Sequence, residues 1–324
     1  MISRRDLTFS GTLGMFAVTA LPLRVTAQGA VQRIIFPYPP GGSADVLARL
    51  LANNLGSELK TSYIVENKPG AAGRIGTAYA AKVNPGDGTI LLSTVALMSV
   101  FPIVYPKLSY DPVADFVPLT QLARFDLCLI ASPNVPVKSL ADVPEWLKKN
   151  PQKGIFSSPA AGSLPHFLVT DFTTRVGVTM EHVPYAGTPP ALVDLMSGHI
   201  SFMALATGDA VQLHKDGKVK ILATSGAARN WMIKDVPTFK EQGVDIEAYG
   251  WYAAYANRNT ISANNERLSK VLQAIVKSDD IRARLSEIGV EPTGTTGEEL
   301  RAIQAADFER WGPIIKASGF KPAD

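Results

Sequence analysis

The chain is short of the groups that most chemistries require. Its 324 residues include one cysteine and four histidines. A single thiol closes no internal disulfide, and Cys128 lies in the apolar run "LCLIAS", the setting of a small buried hydrophobe rather than a reactive group. His166, His182, His199 and His214 show no zinc-ligand spacing, so no metal is expected. No glycine fingerprint with a ribose-binding acid follows a strand, and no glycine-rich loop ends in the Lys-Ser/Thr pair of a phosphate loop, so no cofactor is expected either. Charge of one sign is equally scarce. Residues 1–27 hold three of the 32 basic and one of the 29 acidic side chains, which leaves 29 and 28 in the remainder. That balance, with no basic block, excludes a nucleic-acid footprint.

What is present begins with a leader. "MISRRDLTFSG" carries Arg4 and Arg5 ahead of an apolar stretch over residues 13–23 that is too short and interrupted to span a bilayer. Small residues at Val25 and Ala27 suit cleavage near Ala27, and Ser3-Arg4-Arg5 with Leu7 and Phe9 resembles a twin-arginine export signal. A signal peptide over residues 1–27 is therefore expected, with the remainder exported to a bacterial periplasm. No second long apolar segment follows, so a soluble mature chain is expected.

Beyond Gln28 the pattern is strand, turn, helix, repeated. "VQRIIFPY" reads as a strand, and Val46, Leu47, Leu50, Leu51, Leu55 and Leu59 mark a helical face. "SYIVEN", "KPGAAG" and "RIGTAYAAKV" repeat the unit, and "NPGDGT" turns into the strand "TILLSTVA". A looser passage, "YPKLSYDPVADFVPLTQLARF", precedes a second set of strands and helices that closes with "KVKILATSG"; beyond it the chain is mostly helical. This alternation predicts an α/β fold with a mainly parallel sheet and helices on its faces. Two lobes are expected, with residues 28–124 and 226–324 in lobe 1 and 125–225 in lobe 2.

Usable surface in such a sheet lies in the loops between strand ends and helices. In "FPYPPGGSADVLARLL", Pro39 and Pro40 fix the turn, Gly41 and Gly42 leave the backbone unshielded, and Ser43 is a candidate N-cap. The amides beyond it point outward with the positive end of the helix dipole, which suits a carboxylate or phosphate; a capped helix with nothing bound is the bland alternative. Similar turns recur in "ENKPGAAGRIG", "SSPAAGSLPH" and "VPYAGTPPALVDL". Four of them on alternating strand–helix junctions point to a cleft lined with donors.

"PYPPGGSADVLAR", "ENKPGAAGRIGTAYAAKVNPGDGTILL", "LSYDPVADFVPLTQLA" and "VPYAGTPPALVDLMSGHI" together resemble the signature segments of Bug-type receptors, the periplasmic solute-binding proteins of tripartite tricarboxylate transporters. The likeness runs from about Val31 to "WGPIIKASG". It implies a type II periplasmic-binding-protein fold, two α/β lobes closing on a small organic acid, and integral membrane transporter subunits as partners to a monomeric receptor. By matching motif it implies ligand contacts from Tyr38, Gly41, Gly42, Ser43, Ala72, Gly73 and Thr94 in the first lobe. The second lobe would add Ser158, Ala161, Ser163, His166, Tyr185, Gly187 and Thr188. Asp45 matches an acidic position of the family, and its place in the first helical turn gives it a structural role in holding the loop. The sequence departs from the family in "HISFMALATGDA", where Ser201 and Leu205 stand at positions that are often acidic. Loss of those acids favours an apolar or aromatic mono- or dicarboxylate over a ligand with an amine.

No catalytic residue is assigned, because an enzyme needs a positioned acid, base, nucleophile or metal. A secreted α/β hydrolase or lyase using Ser163 and His166 stays open as an alternative, although Ser163 lacks the nucleophile-elbow context. A subunit presenting its ligand to a sensor stays open too. The aromatic cluster "YGWYAAY" reads as core and hinge packing.

Overall fold

A computed structural model describes residues 31–83, 88–185, 187–260 and 262–322; the expected leader lies outside them. The first lobe opens with β1 (Gln32–Phe36), which feeds α1 (Ser43–Leu59). Leu47, Leu51 and Leu55 recur every fourth residue and so share one face, which is buried against the sheet. Each such leucine stabilises the fold by about 1.5–3 kcal/mol. β2 (Tyr63–Asn67) pairs parallel with β1; α2 (Arg74–Lys82) and β3 (Ile90–Thr94) complete the unit, with β3 on the other side of β1. A π-helical turn over Ala96–Val100 and the short α3 (Phe101–Val104) follow.

β4 (Phe116–Ala131) is 16 residues long and belongs to both lobes. Residues 116–126 pair with β9 (Tyr249–Asn257), and residues 127–131 pair with β7 (Phe202–Ala206) and β8 (Lys220–Thr224). The second lobe also holds α4 (Asp142–Lys149), β5 (Ile155–Ser158), α5 (Leu164–Val176), β6 (Glu181–Pro184), α6 (Thr188–Ser197) and α7 (Thr207–Lys215). After β9 come α8 (Ser262–Lys277), α9 (Asp279–Glu287), the two-residue β10 (Glu291–Pro292) and α10 (Gly297–Ser318), which opens on a Thr296/Glu299 capping box.

The strand order is β2-β1-β3-β9-β4-β7-β5-β6, with β8 and β10 also paired to β4. Parallel pairing holds within β1–β2–β3 and within β5–β6–β7, but the sheet as a whole is mixed rather than mainly parallel. β4 and β9 run antiparallel to their neighbours, because one carries the chain out of the first lobe and the other brings it back. The "looser" passage before residue 127 is itself the first half of β4. Pro118 hides it from a periodicity reading, and the strand absorbs that proline at a register shift between residues 118 and 120.

At the crossing the two strands are clasped by Ser225. Its Oγ accepts from the Leu127 N–H at 2.8 Å and donates to the Ala248 carbonyl at 2.5 Å, while its own N–H reaches the Leu127 carbonyl. Residues 226–248, expected in lobe 1, keep company with the second lobe: Phe239 meets Phe172 of α5 edge-on at 5.9 Å, and Gln242 donates to the Leu222 carbonyl of β8. Behind the crossing α10 fastens both lobes. Trp251 Nε1 donates to Asp307 at 2.7 Å, Tyr255 donates to Gln304 at 2.9 Å, and Phe320, just past the helix end, packs edge-on against His166 and Phe167 of α5.

Ser225→Ala would strand a buried N–H and a buried carbonyl at the crossing, so a loss of about 1–3 kcal/mol is expected in urea unfolding. An unchanged midpoint would remove the clasp from the account.

Candidate functional site

The loops at the strand ends enclose a cavity of about 340 Å³ between the lobes. From the first lobe it is lined by Phe36, Tyr38, Pro39, Gly42, Ser43, Ala44, Thr94, Phe125 and Tyr252 among others; from the second by Leu127, Pro159, Ser163, Leu164, Thr188, Ala206 and Asp209. Most of this surface is apolar or aromatic, and its polar groups are hydroxyls, backbone amides and one carboxylate.

The amides are exposed by design of the turn. Asp45, only 4% accessible, accepts from the Gly41 N–H at 3.2 Å, from Asn67 Nδ2 at 3.0 Å and from Arg49 Nε at 2.9 Å. Asn67 also donates to the Tyr38 carbonyl, so a single carboxylate ties both ends of the turn to β2. Burial pushes that carboxyl up, yet the hydrogen bonds from Asn67, Arg49 and Gly41 prevail and hold it below the ordinary value. The expected structural role of Asp45 has this geometry behind it. Next in the chain, the N–H groups of Gly42, Ser43 and Ala44 find no acceptor among the described residues. They sit at the start of a 17-residue helix and on the cavity wall.

Hydroxyls complete the wall. Tyr38 and Thr94 are 3.1 Å apart, and Ser43 and Tyr252 are 3.2 Å apart. Burial pushes the Tyr38 phenol up to about 12 and the Tyr252 phenol higher still, so both stay neutral and able to donate. Opposite, Ser163 caps α5 by position, and its buried Oγ has no partner among the described residues.

Comparison with known proteins turns this geometry into a family. The model of the tripartite tricarboxylate transporter family receptor matches residues 47–320. The chain belongs to that family. It is 30% identical over 316 residues to Protein BugT of Bordetella pertussis, covering 95% of this chain and 97% of the relative. Among solved structures, the Rhodopseudomonas palustris protein Rpa4515 with adipate is 30% identical with a TM-score of 0.84, covering 91% of this chain and 99% of that one. MatC of the same organism with bound malate is 25% identical with a TM-score of 0.78, covering 88% and 98%. The periplasmic binding protein BugD is 29% identical with a TM-score of 0.80, covering 90% and 98%. The chain is therefore a solute-binding receptor of two-lobed α/β architecture and not an enzyme.

Within the receptor, Tyr38, Gly42, Ser43, Thr94, Ser163 and Thr188 come together on the cavity wall. The other residues of the expected set lie off it, each for a visible reason. Gly41 spends its amide on Asp45. Gly73 sits behind Tyr38, where an added Cβ would come within 3.1 Å of the ring, and Ala72 before it packs on the core at positive φ. Ser158 Oγ donates to the Ala160 carbonyl and meets His182 Nε2 at 2.9 Å. Ala161 belongs to the turn between β5 and α5 and is absent from the lining. Gly187 donates its N–H to the Pro159 carbonyl, and the Tyr185 hydroxyl turns to Asp194 of α6 at 2.6 Å. His166 is buried, accepts the Gly162 N–H at its Nδ1 and stacks on His182 at 3.9 Å. Ser163 and His166 thus share no hydrogen bond, which removes the pairing a hydrolase would use.

Two lining residues with polar side chains escaped the sequence reading. Tyr252 faces the cavity while its strand neighbours Trp251 and Tyr255 fill the core, a period-2 split within "YGWYAAY". Asp209 stands in the first turn of α7, at a strand–helix junction of the kind already recognised elsewhere. It places a carboxylate in the cavity although Ser201 and Leu205 stand at the two positions that are often acidic in the family. Leu205 is fully buried in the second lobe's core, and Ser201 donates to the Lys153 carbonyl, so neither position addresses the cavity. The adjacent helix supplies the carboxylate instead.

The stacked pair also carries a pH dependence. Burial pushes His166 down to about 3, with His182 alongside adding to the effect, and burial pushes His182 down to about 4. Unfolded histidines take up protons near pH 6.5, so between about pH 6.5 and 4 the unfolded chain binds more protons than the folded one. Stability should fall as pH drops through that window. Melting curves of a His166→Phe, His182→Phe double variant should show a shallower fall; an unchanged slope would refute the assignment.

Proposed function

We propose that this receptor captures a small organic carboxylate in the periplasm, after export through a leader in residues 1–27, and delivers it to the membrane subunits of a tripartite transporter. The reading is carried by one observation: Gly42, Ser43 and Ala44 from one lobe and Ser163 from the other line the same cavity, and their amides and hydroxyl have no partner among the described residues. A carboxylate satisfies these groups with two acceptor oxygens and is favoured by the positive ends of α1 and α5. Sugars offer no net charge to those helix ends, and cations would be repelled by them. The adipate and malate held by the two structural relatives support the same class of guest. Apolar walls from Phe36, Phe125 and Leu164 suit the carbon skeleton between or beside the charged groups. Binding that touches both lobes also rewards their approach, since donors from the two sides meet one anion.

Thermal-shift titration of the mature protein against mono-, di- and tricarboxylates, with sugars and inorganic cations as controls, tests this. A true guest raises the melting point in step with its concentration. Ser163→Ala should weaken that guest about tenfold to a hundredfold, the worth of one hydrogen bond to a charged group. Stabilisation by sugars or cations, with every acid silent, would defeat the proposal.

A further inference from the structure

Among the described residues, Asp209 is the one charged side chain on the cavity wall, and none of the others answers it. No arginine, lysine or histidine lines the cavity, and Asp209 makes no hydrogen bond or ion pair with a described residue. It follows Ala206 on β7 and sits in the first turn of α7, open to the solvent of the cleft. The surrounding protein still removes enough water to push its carboxyl above the ordinary value. Its charge reaches Tyr252, whose phenol is raised first by burial and further by Asp209. Tyr252 in turn contacts Ser43 at the start of α1. One small cavity therefore holds unspent donors at α1 and an unspent acceptor at α7.

An acid at a helix N-terminus has an ordinary use, stabilising its own helix dipole. That use calls for no place on a ligand cavity, and it leaves the acceptor sites of the carboxylate unfilled. From this arrangement, and resting on the carboxylate reading above, we propose that Asp209 selects the far end of the guest. The preferred ligand is an organic acid that places its carboxylate at α1 and a hydrogen-bond donor, an ammonium or a hydroxyl group, at Asp209. A second ionised carboxylate at that end meets a like charge in a partly dehydrated space and is disfavoured. The receptor thereby separates amino and hydroxy acids from dicarboxylates of the same length.

Matched pairs test this directly. Calorimetric titrations of the mature protein would use 4-aminobutanoate against succinate, 6-aminohexanoate against adipate, and 8-aminooctanoate against suberate, with 6-hydroxyhexanoate and hexanoate alongside. In at least one length class the amino acid should bind about tenfold or more tightly than its dicarboxylate. Asp209→Asn should shrink that ratio by about tenfold, strengthening the dicarboxylate and weakening the amino acid, while hexanoate stays within about twofold. Asp209→Ser serves as a second variant, and melting curves of both report any change in fold. Dicarboxylates that equal or exceed their amino partners in the wild type, or a ratio untouched in both variants, overturn the selectivity while leaving a carboxylate receptor standing. Silence of every acid at every length overturns the carboxylate reading itself, and the role of Asp209 falls with it.

Discussion

The carboxylate of Asp45 is the contact on which the cleft depends. Buried in the first turn of α1, it gathers the Gly41 amide, Arg49 and Asn67. Asn67 then reaches the Tyr38 carbonyl on the far side of the turn. A loop with two prolines and two glycines would otherwise have many conformers; these bonds favour the one in which three consecutive amides have no partner among the described residues. The acid is internal, its charge is answered locally, and the positive helix end remains available to a guest. Asp209 is the contrasting case on the other lobe, an acid in the first turn of its helix with no such partners among the described residues. The two carboxylates differ in role because their surroundings differ, not because of their type.

Much of the fold can be read from periodicity. The spacing of Leu47, Leu51 and Leu55 and the punctuation by glycine and proline mark the strand–turn–helix units of both lobes. Where reading fails, a tertiary contact decides. Pro118 disguises half of β4 because only the pairing with β9 reveals a register shift that accepts it. Residues 226–248 resemble a return to the first lobe until Phe239 and Gln242 are seen among second-lobe neighbours.

Of the expected contacts, Tyr38, Gly42, Ser43, Thr94, Ser163 and Thr188 line the candidate cavity, all on strand–helix junctions. The glycine turns divide, because glycine serves two ends that look alike in sequence. At Gly42 nothing lies within 4 Å of an added Cβ, so the missing side chain opens an amide to the cavity. At Gly73 the missing side chain makes room for Tyr38 and Leu97. His166 misled for a related reason: it occupies a ligand-type loop, yet its ring turns inward to His182 and Phe320. Tyr252 was missed because only strand alternation brings it to the wall; Asp209 was missed because its strand–helix junction, Ala206-Thr207-Gly208, lacks the proline–glycine punctuation of the other turns.

The Ser225 clasp has a consequence for how tightly a guest can be held. Both connections between the lobes are paired β-strands bonded to one another at Leu127, Ser225 and Ala248, not slack tethers. Moving one lobe against the other has to twist or bend that ribbon, so an acid gripped between them is held across a hinge that carries hydrogen bonds of its own.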